Sequence, residues 1–375
     1  MIIEKNAAYY TKKLVLFILT FICTTLAGAE FIASKSIFFS EDYSWMDFAS
    51  GLPYSISFLF ILTVHEFGHY FTAKYYEVEV TLPNYIPGYL PGSFLLGTFG
   101  ALIRIVGPIR SRKQYFDIGI AGPLAGFIVA IGVLWYGFTH LPPQEYIFEI
   151  HPEYAQYGAD YADHVYQNME TPSIAIGTNL LFSFFENYVG DPELVPNHRE
   201  LMHYPYLFAG FLALFFTALN LIPIGQLDGG HILYGIIGVR KHRKVATVLY
   251  LLFAFFAGFG LVSVKTPMDD MLLYTVGYIA FLYFAFRGLR FSKINTLLTA
   301  VAMFAVQYLA SMVFYDSSGF PGYLLFVLLL GRFIGIHHPV TIDERPLSKG
   351  RKILGWMALV IFILCFSMNP FIIVE

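Results

Sequence analysis

Nine long apolar runs leave this chain few ways to fold. They cover residues 14–33, 52–76, 118–138, 206–239, 245–264, 271–286, 297–315, 323–336 and 353–373. A helix of roughly 20 apolar residues crosses the hydrocarbon core of a bilayer, and in lipid only helices and closed barrels satisfy their backbone groups. The chain is 57% hydrophobic and 13% charged, about half the charge of a soluble domain. The expected fold is therefore an all-α polytopic membrane protein of about eight to nine transmembrane helices. Run 323–336 is short for a crossing. Run 206–239 is too long for one, and Pro223, Gly225, Gly229 and Gly230 interrupt it, so it reads as a broken helix.

One segment does not fit the helical pattern. Residues 81–108 hold Pro83, Pro87, Pro91, Gly88, Gly92, Gly97 and Gly100 among apolar and β-branched residues. That mixture suits turns and short strands. A small β-rich insert is expected between the second and third helices, lodged in a protein-lined cavity because lipid does not tolerate free strand edges.

Loop charges set the orientation. Basic residues follow the second, fourth, sixth and eighth spans: Arg104, Arg110, Arg112 and Lys113; Arg240, Lys241, Arg243 and Lys244; Arg287, Arg290 and Lys293; Arg345, Lys349, Arg351 and Lys352. The loop at 139–205 carries Glu145, Glu149, Glu153, Asp160, Asp163, Glu170, Glu186, Asp191, Glu193 and Glu200 against Arg199 alone. The basic loops are expected in the cytosol and the acidic loop outside. Residues 1–50 then form an N-terminal anchor helix and outer loop, 51–244 a membrane core, and 245–375 a set of C-terminal membrane helices. The first run follows Lys12 and Lys13, and Ala27-Gly28-Ala29 looks like a signal-peptidase site; an uncleaved anchor is the expectation. Residues 1–8 lack the Ser and Arg content of a plastid transit peptide. The expected location is the inner membrane of a bacterial cell, with the active site toward the cytosol.

The net charge of -3 gives no sign of a nucleic-acid partner, and Cys23 and Cys365 lie inside apolar runs, which argues against a disulfide framework or a cysteine-built metal site. The oligomeric state is left open.

Chemistry concentrates in two places. His65-Glu66-Phe67-Gly68-His69 lies within the second apolar run. On a helix the two histidines share a face one turn apart and can bind one Zn²⁺, with Glu66 beside them to accept a proton from water at the metal. Two histidines merely packed in a bundle is the plainer reading, but ionisable groups within a span are costly and usually functional. A catalytic zinc site needs a third protein ligand. Asp228, the one carboxylate in run 206–239, sits at the Gly-Pro break in Asn220-Leu-Ile-Pro223-Ile-Gly-Gln-Leu-Asp228-Gly229-Gly230. At about 1.5 Å of rise per residue, His69 and His65 lie about 8 and 14 Å in from Lys74, and Asp228 about 18 Å in from Arg240. The alternative for Asp228 is a helix cap. Asn220 is an uncharged donor suited to oxyanion or substrate-backbone binding, or to an interhelical hydrogen bond. His231 reads as structural support. Gly122-Pro-Leu-Ala-Gly126 reads as close helix packing, and His337, His338 and Asp343 as part of a solvated loop.

These residues together resemble the site-2 protease family of intramembrane zinc metalloproteases. The resemblance is carried by His65-Glu66-Phe67-Gly68-His69 with the distant Asn220-Leu-Ile-Pro223 and Leu227-Asp228-Gly229-Gly230. Gly97-Thr-Phe-Gly100-Ala-Leu-Ile-Arg104 and Phe116-Asp117-Ile-Gly-Ile-Ala-Gly-Pro123-Leu-Ala-Gly126 point to the EGY-like branch. The resemblance covers about half the chain, residues 52–238. It implies zinc on His65, His69 and Asp228, Glu66 as general base, and a glycine-rich segment that presents the substrate as an added strand. Gly97, Thr98, Phe99 and Gly100 are the candidate substrate-binding residues. The family's catalytic positions show no departure here. The 139–205 loop is shorter than a PDZ domain, so substrate selection by such a module is not expected.

The resulting expectation is zinc-assisted hydrolysis of a peptide bond in a transmembrane protein substrate. A divalent-metal transporter is the rival class, but it would spread ionisable residues along a path through several spans, and the last five runs contain almost none. An inactive scaffold is a third reading, which the intact Glu66 opposes.

Overall fold

The computed structural model describes residues 6–166 and 173–374. Glu170, one of the acidic-loop residues, and the first five residues of the 1–8 segment lie outside them. The chain divides into two compact units. One comprises Met1–Ile109, Ala121–Leu219 and Val360–Glu375, the other Arg110–Ile120 and Asn220–Leu359.

Helices dominate. Among the described residues, five are long and apolar enough to cross a membrane: Ala7–Ala33, Trp45–Tyr75, Arg112–Thr139, Met268–Leu289 and Lys293–Val313. The second of these contains a short α2 (Trp45–Ser50) and the long α3 (Leu52–Tyr75). Pro53 falls in the first turn of α3, where the missing N–H costs nothing because that donor has no intrahelical partner.

In the first unit, α1 (Ala7–Ala33) packs along α3 by small residues. A side chain on Gly51 would run into the Thr25 carbonyl and the Ala29 amide of α1. The Thr24 and Ser55 hydroxyls share a hydrogen bond of 2.7 Å beside this crossing. Lipid is as apolar as the helices, so close backbone approach and hydrogen bonds of this sort hold membrane helices together. Phe31, Tyr54, Phe58 and Phe208 form an aromatic layer in the core, with Tyr54 and Phe208 stacked at 5.6 Å.

The Pro- and Gly-rich segment folds as an antiparallel hairpin of β1 (Asn84–Gly88) and β2 (Gly97–Leu102). Its register slips between Tyr85 and Pro87. The slip lies opposite Phe99 and Gly100, and Gly100 has φ of +101°, a conformation open to glycine and strained for other residues. The hairpin lies on α1: a side chain at Gly97 would collide with the backbone of Cys23 and Thr24. The Tyr85 hydroxyl meets the Thr63 hydroxyl of α3 at 2.8 Å.

The acidic loop is not extended. It forms α5 (Tyr146–Ile150), a 3₁₀ stretch Pro152–Asp160, α6 (Tyr161–Val165), β3 (Ser173–Ile176), α7 (Leu180–Tyr188) and a last 3₁₀ turn Leu201–His203. Ile147, Tyr154 and Tyr161 give it a small core of its own. Strand β3 pairs antiparallel with β4 (Phe371–Val374) at the end of the chain. The last apolar run is therefore not one helix through residue 373. Its helix stops at Cys365, and a strand begins at Phe371, directly after Pro370, which lacks an N–H and disfavours helix in the residue before it.

The run from Tyr206 is broken as its prolines and glycines require. It holds α8 (Pro205–Leu221) and α9 (Asp228–Ile237), and the second unit begins at its break. There, α10 (Val239–Gly258), α11 (Met268–Phe286), α12 (Lys293–Val313) and α13 (Tyr323–Leu329) pack together. Tyr250 donates its hydroxyl to the carbonyls of Ala285 and Val327, and Gln307 donates to Phe255.

Candidate metal centre

His65, Glu66 and His69 all lie on α3 and all are buried. One helical turn separates the two histidines, and their Nε2 atoms converge to 3.1 Å with the rings at 75°. Two nitrogens bound to one tetrahedral zinc at about 2.05 Å lie about 3.3 Å apart. The imidazole pair thus fits a zinc ion with little adjustment.

Glu66 is held from outside its helix. Its Oε2 accepts a hydrogen bond of 2.8 Å from the Ile103 amide, the residue that follows β2. The hairpin therefore does more than fill a cavity, because the residue that follows it holds the Glu66 carboxylate. A backbone donor is well suited to this task, as it cannot rotate away.

The helix α4 (Arg112–Thr139) carries Gly122 and Gly126. Their spacing alone reads as ordinary close helix packing. The structure shows what they pack against: a Cβ at Gly122 would land on the His69 ring, and one at Gly126 would press on His65 Cβ at 3.0 Å. Gly68 makes an equally close approach to the Ala121 carbonyl. The small residues make room for the imidazoles rather than only for a helix crossing. The Gly122→Ala variant is expected to push His69 aside and weaken zinc binding by about 10- to 100-fold, the scale seen when a ligand's orientation is disturbed. Gly132→Ala, where an added Cβ meets nothing within 4 Å, is the matched control. Equal zinc affinity in the two variants, read by competition with a chromogenic chelator, would refute the assignment.

The other expected site residues are placed as follows. In the hairpin, Thr98 is buried and its hydroxyl donates to the Ile86 carbonyl at 2.8 Å, while Gly97 is closed against α1. Phe99 is 67% exposed, and nothing lies within 4 Å of a Cβ built at Gly100. Of the four candidates for substrate contact, the latter two are accessible.

Asp228 is the first residue of α9 and is half-buried. Leu227 occupies the N-cap position, with no side-chain cap. A side chain at Gly229 would collide with the Leu221 carbonyl, and one at Gly230 with the Gly225 carbonyl. The glycines after Asp228 let its helix start turn back tightly on the end of the preceding one. Asn220 lies in the last turn of α8, half-buried.

His231 places its Nδ1 2.8 Å from His338 Nε2. His338 is not in a solvated loop, however. It is buried, and its ring stacks on Tyr234 at 3.8 Å. His337 turns instead to the Thr247 hydroxyl and Asp343 to Arg345. Arg112, read as a loop cation, is also buried, and donates to the Gly235 carbonyl. Asp117 forms a two-pronged ion pair with Arg351.

Comparison with known proteins now decides the family. The model of peptidase family M50 matches residues 53–263, more than half the chain. This chain belongs to peptidase family M50. The M50 chain is 27% identical over 222 residues to "Probable zinc metalloprotease EGY2, chloroplastic" of Oryza sativa subsp. indica, covering 59% of this chain and 34% of the relative. It is 31% identical over 189 residues to "Probable zinc metalloprotease EGY1, chloroplastic" of Oryza sativa subsp. japonica, covering 50% and 28%. For the Arabidopsis thaliana EGY1 protein the identity is 28% over 197 residues, covering 52% and 31%. The M50 chain thus spans about a third of the length of these curated relatives. No solved structure matches it. The EGY-like resemblance is borne out by these relatives.

The same comparisons overturn the expectation of a bacterial inner membrane, because the relatives are chloroplastic proteins of plants. Loop charges distinguish the two sides of a bilayer but say nothing of which bilayer it is. Residues 1–8 are too short a stretch to mark or exclude a transit peptide.

Proposed function

We propose that this M50 chain is a zinc metalloprotease that hydrolyses peptide bonds in or beside transmembrane segments of other membrane proteins, in a plastid membrane. One observation carries the reading. His65 and His69 converge from one buried helical turn, and the carboxylate between them in sequence is oriented by a backbone amide. In this reading the protein crosses the bilayer eight or nine times, residues 51–244 form the catalytic core, and the basic loops face the stroma.

His65, His69 and Asp228 hold the zinc. When bound, it supplies Lewis acidity to water and to the scissile carbonyl. Glu66 accepts the proton of the attacking water as the new C–O bond forms, then delivers it to the leaving nitrogen as the C–N bond breaks. The Ile103 amide keeps the carboxylate aimed through both transfers. Asn220 donates to the oxygen that gains charge. Phe99 and Gly100, accessible on the hairpin, receive the unwound substrate as an added strand, which supplies partners for backbone groups that lipid would leave unpaired. A transporter would use ionisable groups dispersed across the helices, and an inactive scaffold would have no need of the Glu66–Ile103 bond.

The direct test is purified protein reconstituted into liposomes with a transmembrane substrate of plastid origin. Cleavage is expected to stop when a chelator strips zinc and to resume when zinc alone is restored. Cleavage that persists without metal overturns the proposal. Orientation is checked separately, with cysteines at the exposed Arg104 and Glu193. An impermeant maleimide applied from the stromal side should label the first and not the second; the reverse pattern would invert the topology.

A further inference from the structure

A second group of metal-ligand side chains lies in the folded acidic loop, well separated in sequence from the HExxH turn. His151 follows α5, and Glu200 and His203 lie on either side of the start of the Leu201–His203 turn. The His151 and His203 Nε2 atoms are 3.3 Å apart. Glu200 Oε2 lies 3.3 Å from His203 Nε2 and 3.7 Å from His151 Nε2. Two of these groups are deeply buried, Glu200 at 3% exposure and His203 at 5%.

The hydrogen bonds around this group favour hydrogens on the outer ring nitrogens. His203 Nδ1 faces the Ile32 carbonyl at 3.1 Å, an oxygen that can only accept, so Nδ1 bears the hydrogen. His151 Nδ1 faces the Glu153 carboxylate at 3.3 Å, again an acceptor. In the neutral imidazoles both Nε2 atoms are therefore lone pairs. The third converging atom is Glu200 Oε2, buried and without a hydrogen bond from any described residue. With both imidazoles neutral and Glu200 ionised, three electron-rich atoms share one buried space with no donor among them. Such an arrangement is costly unless a cation occupies its centre.

The surroundings match what metal ligands require. Each histidine gives its remote N–H to an oxygen, the outer interaction that fixes tautomer and ring orientation in metal sites. The other oxygen of Glu200 accepts from the Tyr166 hydroxyl, and the His151 ring stacks on Tyr154 at 4.6 Å.

We propose that His151, Glu200 and His203 form a second divalent-metal site, distinct from the His65–His69 centre, with zinc as the fitting ion. Two imidazoles and one carboxylate are a donor set that zinc favours, and calcium or magnesium would ask for more oxygens. The ion ties residue 151 to residues 200–203 and so closes the acidic loop on itself, while the His203–Ile32 bond joins it to the end of α1. Its role is to hold the outer loop in shape, since metal binding stabilises whatever arrangement brings the ligands together.

The test uses full-length protein in detergent, loaded with zinc, desalted and analysed for metal content. Wild type is expected to hold about two equivalents per chain, H65Q/H69Q about one, E200Q about one, and H151Q about one, each site losing its ion with its ligands. His151 is the most exposed of the three ligands, with a quarter of its side chain accessible, so H151Q decides the matter if E200Q fails to fold. In H65Q/H69Q protein, Co²⁺ should give the visible absorption of a low-symmetry nitrogen–oxygen site. Adding H151Q should abolish it, and a chelator should lower the melting temperature only when His151 is intact. If H65Q/H69Q protein binds neither zinc nor cobalt, or if H151Q leaves the wild-type metal content unchanged, the proposal is overturned and the cluster is held by a shared proton instead.

Discussion

Glu66→Gln is expected to reduce proteolysis by at least about 100-fold while zinc stays bound, because general acid–base groups contribute about 10²- to 10⁴-fold. The amide keeps the shape of the carboxylate, and its oxygen can still accept from the Ile103 amide, which lies 2.8 Å from Oε2 in the native chain. It cannot take up a proton from water. The variant therefore separates proton transfer from folding and from metal binding. The measurement is turnover of a reconstituted substrate together with zinc content of the same preparation. Turnover within a few-fold of wild type, with zinc present, would remove Glu66 from the role of base. Loss of zinc alongside activity would instead make Glu66 part of the structure that holds the histidines.

Asp228→Asn is expected to lower zinc affinity by more than about 100-fold. Changes to groups that merely orient ligands cost 10- to 100-fold, so replacing a ligand's anionic oxygen should exceed that range. The structure narrows the alternatives for this residue. A capping role would place Asp228 at the N-cap, but Leu227 stands there and α9 has no side-chain cap. An acidic group in the first turn still interacts favourably with the helix dipole, at about 0.3–1 kcal/mol. The Asn variant should therefore lose little stability in metal-free protein. Zinc titration of both proteins, with thermal melting of their metal-free forms, checks the pair of expectations. Unchanged zinc affinity with a large loss of metal-free stability would assign Asp228 to the fold and leave the third ligand to another residue.

The hairpin offers a graded counterpart to these two changes. Of Gly97, Thr98, Phe99 and Gly100, the last two are accessible, whereas Thr98 is spent inside the hairpin. Proline at Phe99 deletes one amide on the accessible part of β2 and should slow cleavage with zinc retained. Proline at Thr98 should damage the hairpin itself, and through Ile103 the orientation of Glu66.

Much of this is legible in the sequence. Hydropathy marks candidate membrane segments because the length of a bilayer-crossing helix is set by the bilayer. The His65–Glu66–His69 pattern could be placed on one face because helical geometry is local: four residues make one turn whatever surrounds them. The break in the 206–239 run followed from Pro223 and the glycines, and the hairpin at 84–102 from its turn residues, again local effects.

What only the tertiary structure decided involves partners far apart in the chain. Nothing near Glu66 announces that the Ile103 amide, 37 positions away, will hold it. Gly122 and Gly126 carry the spacing of any tight helix crossing, and only the packed helices show that the space they leave is filled by imidazole rings. The end of the chain is as apolar as a span, yet it forms a strand because Pro370 stops helical hydrogen bonding and β3 offers an edge to pair with. His151, Glu200 and His203 carried only a weak signal, a carboxylate and a histidine three apart with another histidine about 50 residues earlier. Local periodicity follows from the geometry of a single element and can be read along the sequence. The pairing of lone donors and acceptors depends on how elements meet, and that is settled by packing.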